Sequence, residues 1–372
     1  MRVCVYTSFE EVPGEVRQCL SYPRQQNFFL SFDWFSLLFE TSLRQTVTPR
    51  IYVLLGDQEE TRAALFCAVN RNGVLRRLMS LTNFYALEYA PSLAGDAAAT
   101  SSLTRQLVEY IAAERPRWHL ISIKLLKSDI PEMQSVSGDL TKAGFSTYPF
   151  FQYENWYVES GDKSFEAYFA ERGSQLRNTI TRKQKKLEKT HGFAIKVGRS
   201  ESADLKPLLN DFISVYNRSW KQPEPFPDFI PTLVAECAKL GILRLGMLYV
   251  GDKPAAGQLW LNTDRKAIIY KLAYDEEYRA FGVGSILSRE MFRIAIDEDH
   301  VDEIDYGVGS EPYKKEWMSA ARNLVGVEAF NRKTLPGLLL IMGKTAKPAM
   351  GTLFGSFIEN STIAKRLRQA LS

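Results

Sequence analysis

The chain is 372 residues long, enough for two domains at about 100–200 residues each. Hydrophobic residues make up 45% and charged residues 24%, a globular balance that excludes a disordered chain. The net charge, 47 − 43 = +4, is too small to imply nucleic-acid binding by itself, and no nucleic-acid partner is expected. Cys4, Cys19, Cys67 and Cys237 stand far apart with no CxxC pair. His119, His191 and His300 form no HExxH pair, so neither a disulfide scaffold nor a metal site is expected. The N-terminus meets Glu10 and Glu11 before an apolar run can form, and the late apolar stretch Leu335–Ile358 is broken by Lys344 and Lys347. A cytoplasmic protein without an export signal or membrane span is expected.

In chain order, strand-like apolar runs fall at Arg50–Leu55, Ala63–Val69 and Leu75–Leu87. An amphipathic helix follows at Ser101–Ala113, with Leu103, Leu107, Ile111 and Ala112 on one face. A strand at Leu120–Leu126, a helix around Met133–Ala143 and an aromatic strand at Phe145–Val158 complete the first half. A helix over Ser164–Thr190 joins the halves. Its apolar positions Phe165, Phe169, Leu176, Ile180 and Leu187 make one stripe, and Arg172, Arg177, Arg182, Lys183, Lys185, Lys186 and Lys189 occupy the opposite faces.

The second half repeats the order. Strands are predicted at Leu243–Val250, Ala255–Asn262 and Ala267–Tyr274, and a helix at Gly284–Asp297. A strand at Glu303–Tyr306, a helix from Glu311 and a strand near Val325–Phe330 end it. Gly56-Asp57 and Gly251-Asp252 mark the first hairpin of each copy. Two βββαβαβ runs imply an internal duplication with a period of roughly 170–200 residues.

Several motifs are excluded on spacing. Gly343-Lys344-Thr345 has its upstream glycine at Gly337, one residue too far for a phosphate loop. Gly282-Val283-Gly284 is followed by Leu287 where a dinucleotide fingerprint needs glycine or alanine. No GxSxG elbow is present. The informative segment is Tyr274–Leu287, where a strand ends, Arg279-x-x-Gly282-x-Gly284 follows, and an amphipathic helix begins. Glycines allow close backbone approach, and the first helical N–H groups, unpaired and at the positive end of the dipole, favour an anion such as a diphosphate. The alternative is a glycine-rich turn with no ligand.

The order of elements and this loop resemble the acyl-CoA site of GNAT acetyltransferases. The hairpin Leu245–Gln258, the strand Tyr270–Asp275 and the run Ile304–Trp317 resemble, within that superfamily, the BioF2-like or CelD-like group related to FemAB transferases. The likeness covers about Phe165–Trp317. Where that group often carries Ser-Pro-Gly, this chain has Gly282-Val283-Gly284, closer to the general GNAT loop. The resemblance implies an α/β tandem GNAT-like fold, two mixed sheets flanked by helices. Residues 1–160 would be a degenerate half shaping the acceptor cleft, since Ala90–Asp96 has no such motif. Residues 161–334 would bind acyl-CoA, and 335–372 would form a helical tail with Lys365, Arg366 and Arg368, packed on the core.

The roles implied are as follows. Arg279, Gly282, Val283, Gly284, Ser285 and Tyr274 bind acetyl-CoA, used as co-substrate. Tyr313 protonates the leaving thiolate, with packing beside Trp317 as the alternative. Lys314 stabilises developing charge or is an exposed helix lysine, and Asp305 is a base or a cap for the Gly307–Gly309 loop. Tyr274 and Asp275 close the strand facing the thioester, with a purely structural role as the alternative. Arg177 and Arg182 contact an anionic acceptor, while Lys185 and Lys186 face solvent. The expected reaction is acyl transfer from CoA to an amine or hydroxyl of an amino sugar or polysaccharide precursor. The alternatives are an aminoacyl-tRNA-dependent transferase of the FemAB type and a non-catalytic scaffold of a surface-polymer system.

Overall fold

The computed structural model describes residues 1–70, 75–94, 100–128, 131–309 and 311–350. Cα proximity divides the chain into two compact units, the first comprising Met1–Gln25, Leu43–Gln152 and the chain from Leu324, the second Gln26–Ser42 and Tyr153–Asn323. The chain runs β1 (Arg2–Tyr6), α1 (Gly14–Leu20), a 3-10 turn at Phe28–Leu30, α2 (Phe32–Leu38) and a π turn at Phe39–Leu43. Then come β2 (Val47–Leu55), β3 (Thr61–Asn70), β4 (Arg77–Ser80), β5 (Ser92–Leu93), α3 (Thr100–Ala113), β6 (Leu120–Lys127), α4 (Pro131–Lys142) and β7 (Phe145–Glu159). Helices α5 (Phe165–Ala170) and α6 (Ser174–Thr190) lead to β8 (Ala194–Gly198), α7 (Leu205–Arg218) and α8 (Phe229–Lys239). The rest is β9 (Leu243–Val250), β10 (Lys253–Thr263), β11 (Lys266–Tyr274), α9 (Val283–Arg293), β12 (Glu303–Val308), α10 (Pro312–Trp317), β13 (Ala320–Asn331) and α11 (Leu335–Met350).

In the first unit β1, β2, β3 and β4 pair antiparallel in order, and β4 then pairs β6 in parallel through Arg77↔Leu120, Leu78↔Ile121 and Met79↔Ser122. The far side of β6 takes the 324–330 stretch of β13, antiparallel. Tyr52, Phe66, Tyr89 and Leu107 lie in its core. The predicted strand over Leu75–Leu87 stops at Ser80, because Thr82 N–H turns back to the Ser80 carbonyl and Asn83 caps Tyr85 N–H. Gly95 and Asp96, at the end of the segment read as lacking a phosphate motif, and Lys365, Arg366 and Arg368 lie outside the described residues.

The second unit repeats the pattern. Strands β8, β9, β10 and β11 are antiparallel neighbours, β11 pairs β12 in parallel, and β12 pairs the 155–159 stretch of β7 antiparallel. Each unit therefore has an antiparallel meander followed by one parallel pair, and the fold is α/β and tandem GNAT-like. The compact units differ from a division at 160 and 334 for a stated reason: residues 155–159 are bonded to β12 and 324–330 to β6.

The predicted single helix over 164–190 is two helices, separated around Gly173. Ser164 caps α5 through Ala167 N–H. The apolar stripe still points inward: Phe165, Phe169, Ile180 and Leu187 are buried and Leu176 packs against them. Arg172, read as part of the polar face, is buried at the break, where its guanidinium donates to the Trp317 carbonyl (3.0 Å) over the Tyr168 ring. Among the described residues no helix is long and apolar enough to cross a membrane.

Candidate active site

Strands β11 and β12 pair only at Lys266↔Glu303, Ala267↔Ile304 and Ile268↔Asp305, and then part. Along β10 the register slips between Leu259↔Lys271 and Trp260↔Ile269, so Tyr270 is an extra residue. Such a bulge increases local twist, here just where the two strands part. The opening is a cleft of about 530 Å³ in the second unit. Leu272, Ala273 and Tyr274 line one wall, Tyr306 and Tyr313 the other, and Gly284, Ser285 and Ser288 of α9 the end.

Between β11 and α9 the chain makes a 3-10 turn, Glu276–Phe281. Asp275 caps it, accepting from Glu277 N–H at 3.1 Å while its other oxygen is held by Arg218 Nε at 2.6 Å. Asp275 therefore shapes the turn, the structural role that its sequence position allowed. Gly282 then adopts φ 66°, the left-handed conformation that glycine takes without a Cβ penalty. Helix α9 starts at Val283 with no side-chain cap and no acidic residue in its first turn. The first N–H groups of a helix have no intrahelical acceptor, and here no side chain caps them. Val283 is buried, so only its backbone serves this end. A Cβ on Gly284 would stand 3.2 Å from Tyr274 Cδ1, so glycine keeps the floor of the cleft open. Arg279 lines the cleft with a largely exposed side chain, 3.7 Å from Glu276. Arg279, Gly284, Ser285, Tyr274 and Tyr313 thus meet in one place.

Two side chains read from sequence as catalytic do not line it. Asp305 is buried, with Oδ1 accepting from Asn155 Nδ2 (2.5 Å) and Gly307 N–H (2.7 Å) and Oδ2 paired with Arg322 (2.8 Å) and Lys266 (2.9 Å). Burial opposes its charge, but the two cations prevail and hold the carboxyl well below the usual carboxylate range. Such a group stays ionised and engaged; it fixes the Gly307 loop rather than taking a proton. Lys314 is buried too, its ammonium donating to the carbonyls of Val308 (2.6 Å) and Gly309 (3.4 Å) beside Glu311 (2.9 Å). It anchors the start of α10 and is neither exposed nor in the cleft.

Replacing Asp305 with Asn should remove one of the two carboxylates that Lys266 and Arg322 share, the other being Glu303, at a cost of about 1.5–3 kcal/mol in urea unfolding. Because the folded carboxyl titrates low, this stabilisation is full at neutral pH. It fades only as pH falls below the ordinary value of about 3.9 towards the folded one. A variant as stable as the parent would return Asp305 to the list of candidate bases.

Tyr313 stands on α10 with its ring edge-on to Tyr306, centroids 5.5 Å apart at 70°. It is 38% exposed, and burial with nearby Glu311 pushes its hydroxyl up to about 12. It therefore carries its proton at neutral pH, as a general acid must. Trp317, which lines the same cleft, stacks on Phe292 (4.7 Å), and its carbonyl accepts from Tyr168 (2.6 Å). The cleft also contains residues that no motif marked. Gln258 Nε2 donates to the Gly284 carbonyl (3.2 Å) and Ser288 Oγ (2.7 Å), tying β10 to the first turn of α9. Trp220 lies against Tyr274, centroids 4.5 Å apart.

The basic helix α6 contributes unexpectedly. The Lys183 stem lies over Gly282, where a Cβ would meet its Cδ at 2.6 Å. Lys186 is exposed, as expected, with its ammonium 5.3 Å from the Phe281 ring. Arg177 is half-buried and donates to the Arg172 carbonyl (3.0 Å), while Arg182 is exposed; neither lines the cleft.

Residues 174–315 match the family model described as an acetyltransferase (GNAT) domain. The match lies within the second unit and covers less than half of the chain, so that unit is similar to a GNAT domain. Among solved structures, the chain is similar to FemX, at 12% identity and TM-score 0.61 over 92% of this chain and 99% of that one. It is similar to a conserved protein of unknown function from Bacteroides thetaiotaomicron, at 12% identity and TM-score 0.55 over 89% and 100%. L-PGS from Bacillus licheniformis follows, at 11% identity and TM-score 0.50 over 81% and 89%. Identities this low establish a shared fold. The chain has no match among curated proteins.

Proposed function

We propose that the chain transfers an acyl group, acetyl in the first instance, from acyl-CoA to an amine or hydroxyl of an acceptor such as an amino sugar or polysaccharide precursor. The reading places it in the BioF2-like or CelD-like group and in the cytoplasm. The observation that carries it is the uncapped start of α9, which opens onto a cleft between parting strands with Arg279 beside it. A diphosphate fits the free N–H groups and the cation, and a thioester arm fits the groove between β11 and β12. Acyl-CoA supplies the activated acyl carbon; the protein supplies the surroundings. Among the described residues β11 has no register pair with β12 beyond Ile268, and its Leu272–Tyr274 edge, which lines the cleft, is assigned to the oxyanion. Tyr313 donates a proton to the departing sulfur. Acetyl-CoA against charged tRNA in a saturation-binding experiment tests the donor, and binding of charged tRNA alone would overturn it.

For the acceptor, Arg177 and Arg182 on α6 are assigned to its anionic part. Arg182→Ala should raise the acceptor KM about tenfold or more and spare acetyl-CoA binding. Arg177→Ala should do the same, with some loss of stability because it anchors the helix break. Lys185 is exposed and its alanine variant should be neutral, whereas Lys186 is no longer a clean control. Equal effects at Arg182 and Lys185 would reduce α6 to a charged surface.

A further inference from the structure

We propose that the first unit holds a separate binding pocket for a small phosphorylated ligand, built on the sheet face around Arg77 and Lys124. A cavity of about 250 Å³ lies there. Its floor follows the register, Ala68↔Met79 between β3 and β4 and Met79↔Ser122 between β4 and β6, which sets these residues side by side. Arg77 and Lys124 stand two residues to either side of that row, hence on the same face and at opposite ends. Both line the cavity with Ser80, Thr82 and Ser122, and no carboxylate lines it.

The cations there are short of partners. Arg77 Nε is buried with no hydrogen-bond partner, and one terminal nitrogen reaches only Ser122 Oγ, at 3.3 Å. Burial lowers its affinity for its proton, opposed by Glu328, but Glu328 is itself held by Lys344 at 2.7 Å. Lys124 is half-buried and forms no ion pair among the described residues. A half-buried guanidinium with an orphaned N–H carries an unrelieved desolvation cost, and a bidentate oxyanion is the partner that its planar fork fits. Hydroxyls complete the set. Ser80 Oγ accepts from Lys124 N–H at 3.1 Å and shares one bond with Thr82 Oγ1, also at 3.1 Å. One hydroxyl proton of that pair is therefore left to donate into the cavity.

The pocket lies wholly on first-unit residues, so it is independent of the donor reading. The test uses the full chain carrying Gly284→Glu, which removes phosphate binding at α9, and follows inorganic phosphate by phosphorus NMR and calorimetry. Saturable binding should appear and weaken about tenfold or more in Arg77→Met and in Lys124→Met. Glycerol phosphate should compete, and acetate should not. If Arg77→Met fails to fold, Lys124→Met carries the test alone. Absence of saturable binding, equal affinity in the folded variants, or equal binding of acetate would overturn the proposal. The donor assignment is read separately, from acetyl-CoA binding to the parent protein.

Discussion

Acetyl-CoA at about one hundred times its dissociation constant should raise the unfolding free energy by about 2.7 kcal/mol, and Gly284→Glu should abolish that gain. The expectation rests on where Gly284 sits. It lines the cleft, and a side chain there would grow past the Tyr274 ring, 3.2 Å from the Cβ position. Glutamate would also bring negative charge to the site meant for a diphosphate. Against the contact with the Tyr274 ring, which must give by a few tenths of an ångström, glutamate near a helix N-terminus interacts favourably with the dipole and propagates helix better than glycine. A variant that folds as well as the parent yet shows no thermal shift would separate ligand exclusion from misfolding. An unchanged shift would remove the α9 terminus from the site, and with it the argument for a CoA donor. Gly282→Ala is a different experiment. Its φ of 66° makes any side chain strained there, and the loss would mix stability with binding.

How far the sequence reaches depends on what kind of signal each element emits. Strands β9 and β11 were legible because apolar runs of strand length stand between turn residues, and Leu243–Val250 was read to the residue. Helix α7 was missed although Leu208, Phe212, Val215 and Tyr216 trace a buried stripe that helical periodicity would have found. Strand β8 was missed for a better reason: it is short, and none of its residues is fully buried. At the site, Gly282 and Gly284 were legible as a strand-to-helix turn because backbone geometry restricts which residues can stand there. Asp305 was legible as a cap for the Gly307 loop, but its ion pairs were not, because Lys266 and Arg322 are brought to it by the fold and nothing local announces them. Gln258 had a signal, a polar residue inside an apolar strand, but its meaning appears only with Gly284 and Ser288 opposite. Tyr306 lay inside a recognised run, and only the parting of β11 and β12 turns it into a cleft residue.

The largest effect is expected at Tyr313. Phenylalanine there preserves the ring and its edge-on contact with Tyr306 and removes one hydroxyl. If that hydroxyl only fills space at a partly exposed position, neither stability nor rate should change appreciably. If it donates the proton that lets the thiolate leave, Tyr313→Phe should slow the chemical step by about 10²–10⁴-fold and leave CoA affinity nearly intact. Single-turnover measurement at saturating donor and acceptor isolates that step from product release. The pH profile adds a second readout. With its hydroxyl pushed up to about 12, Tyr313 keeps its proton across the usual assay range, so the parent should show no alkaline limb from this residue below that value. Lys314→Ala should behave differently. Its ammonium bonds the carbonyls of Val308 and Gly309, so its loss should loosen the start of α10 and lower stability and rate together. A rate loss below about threefold in Tyr313→Phe would return the tyrosine to packing and leave proton delivery to another group in the cleft.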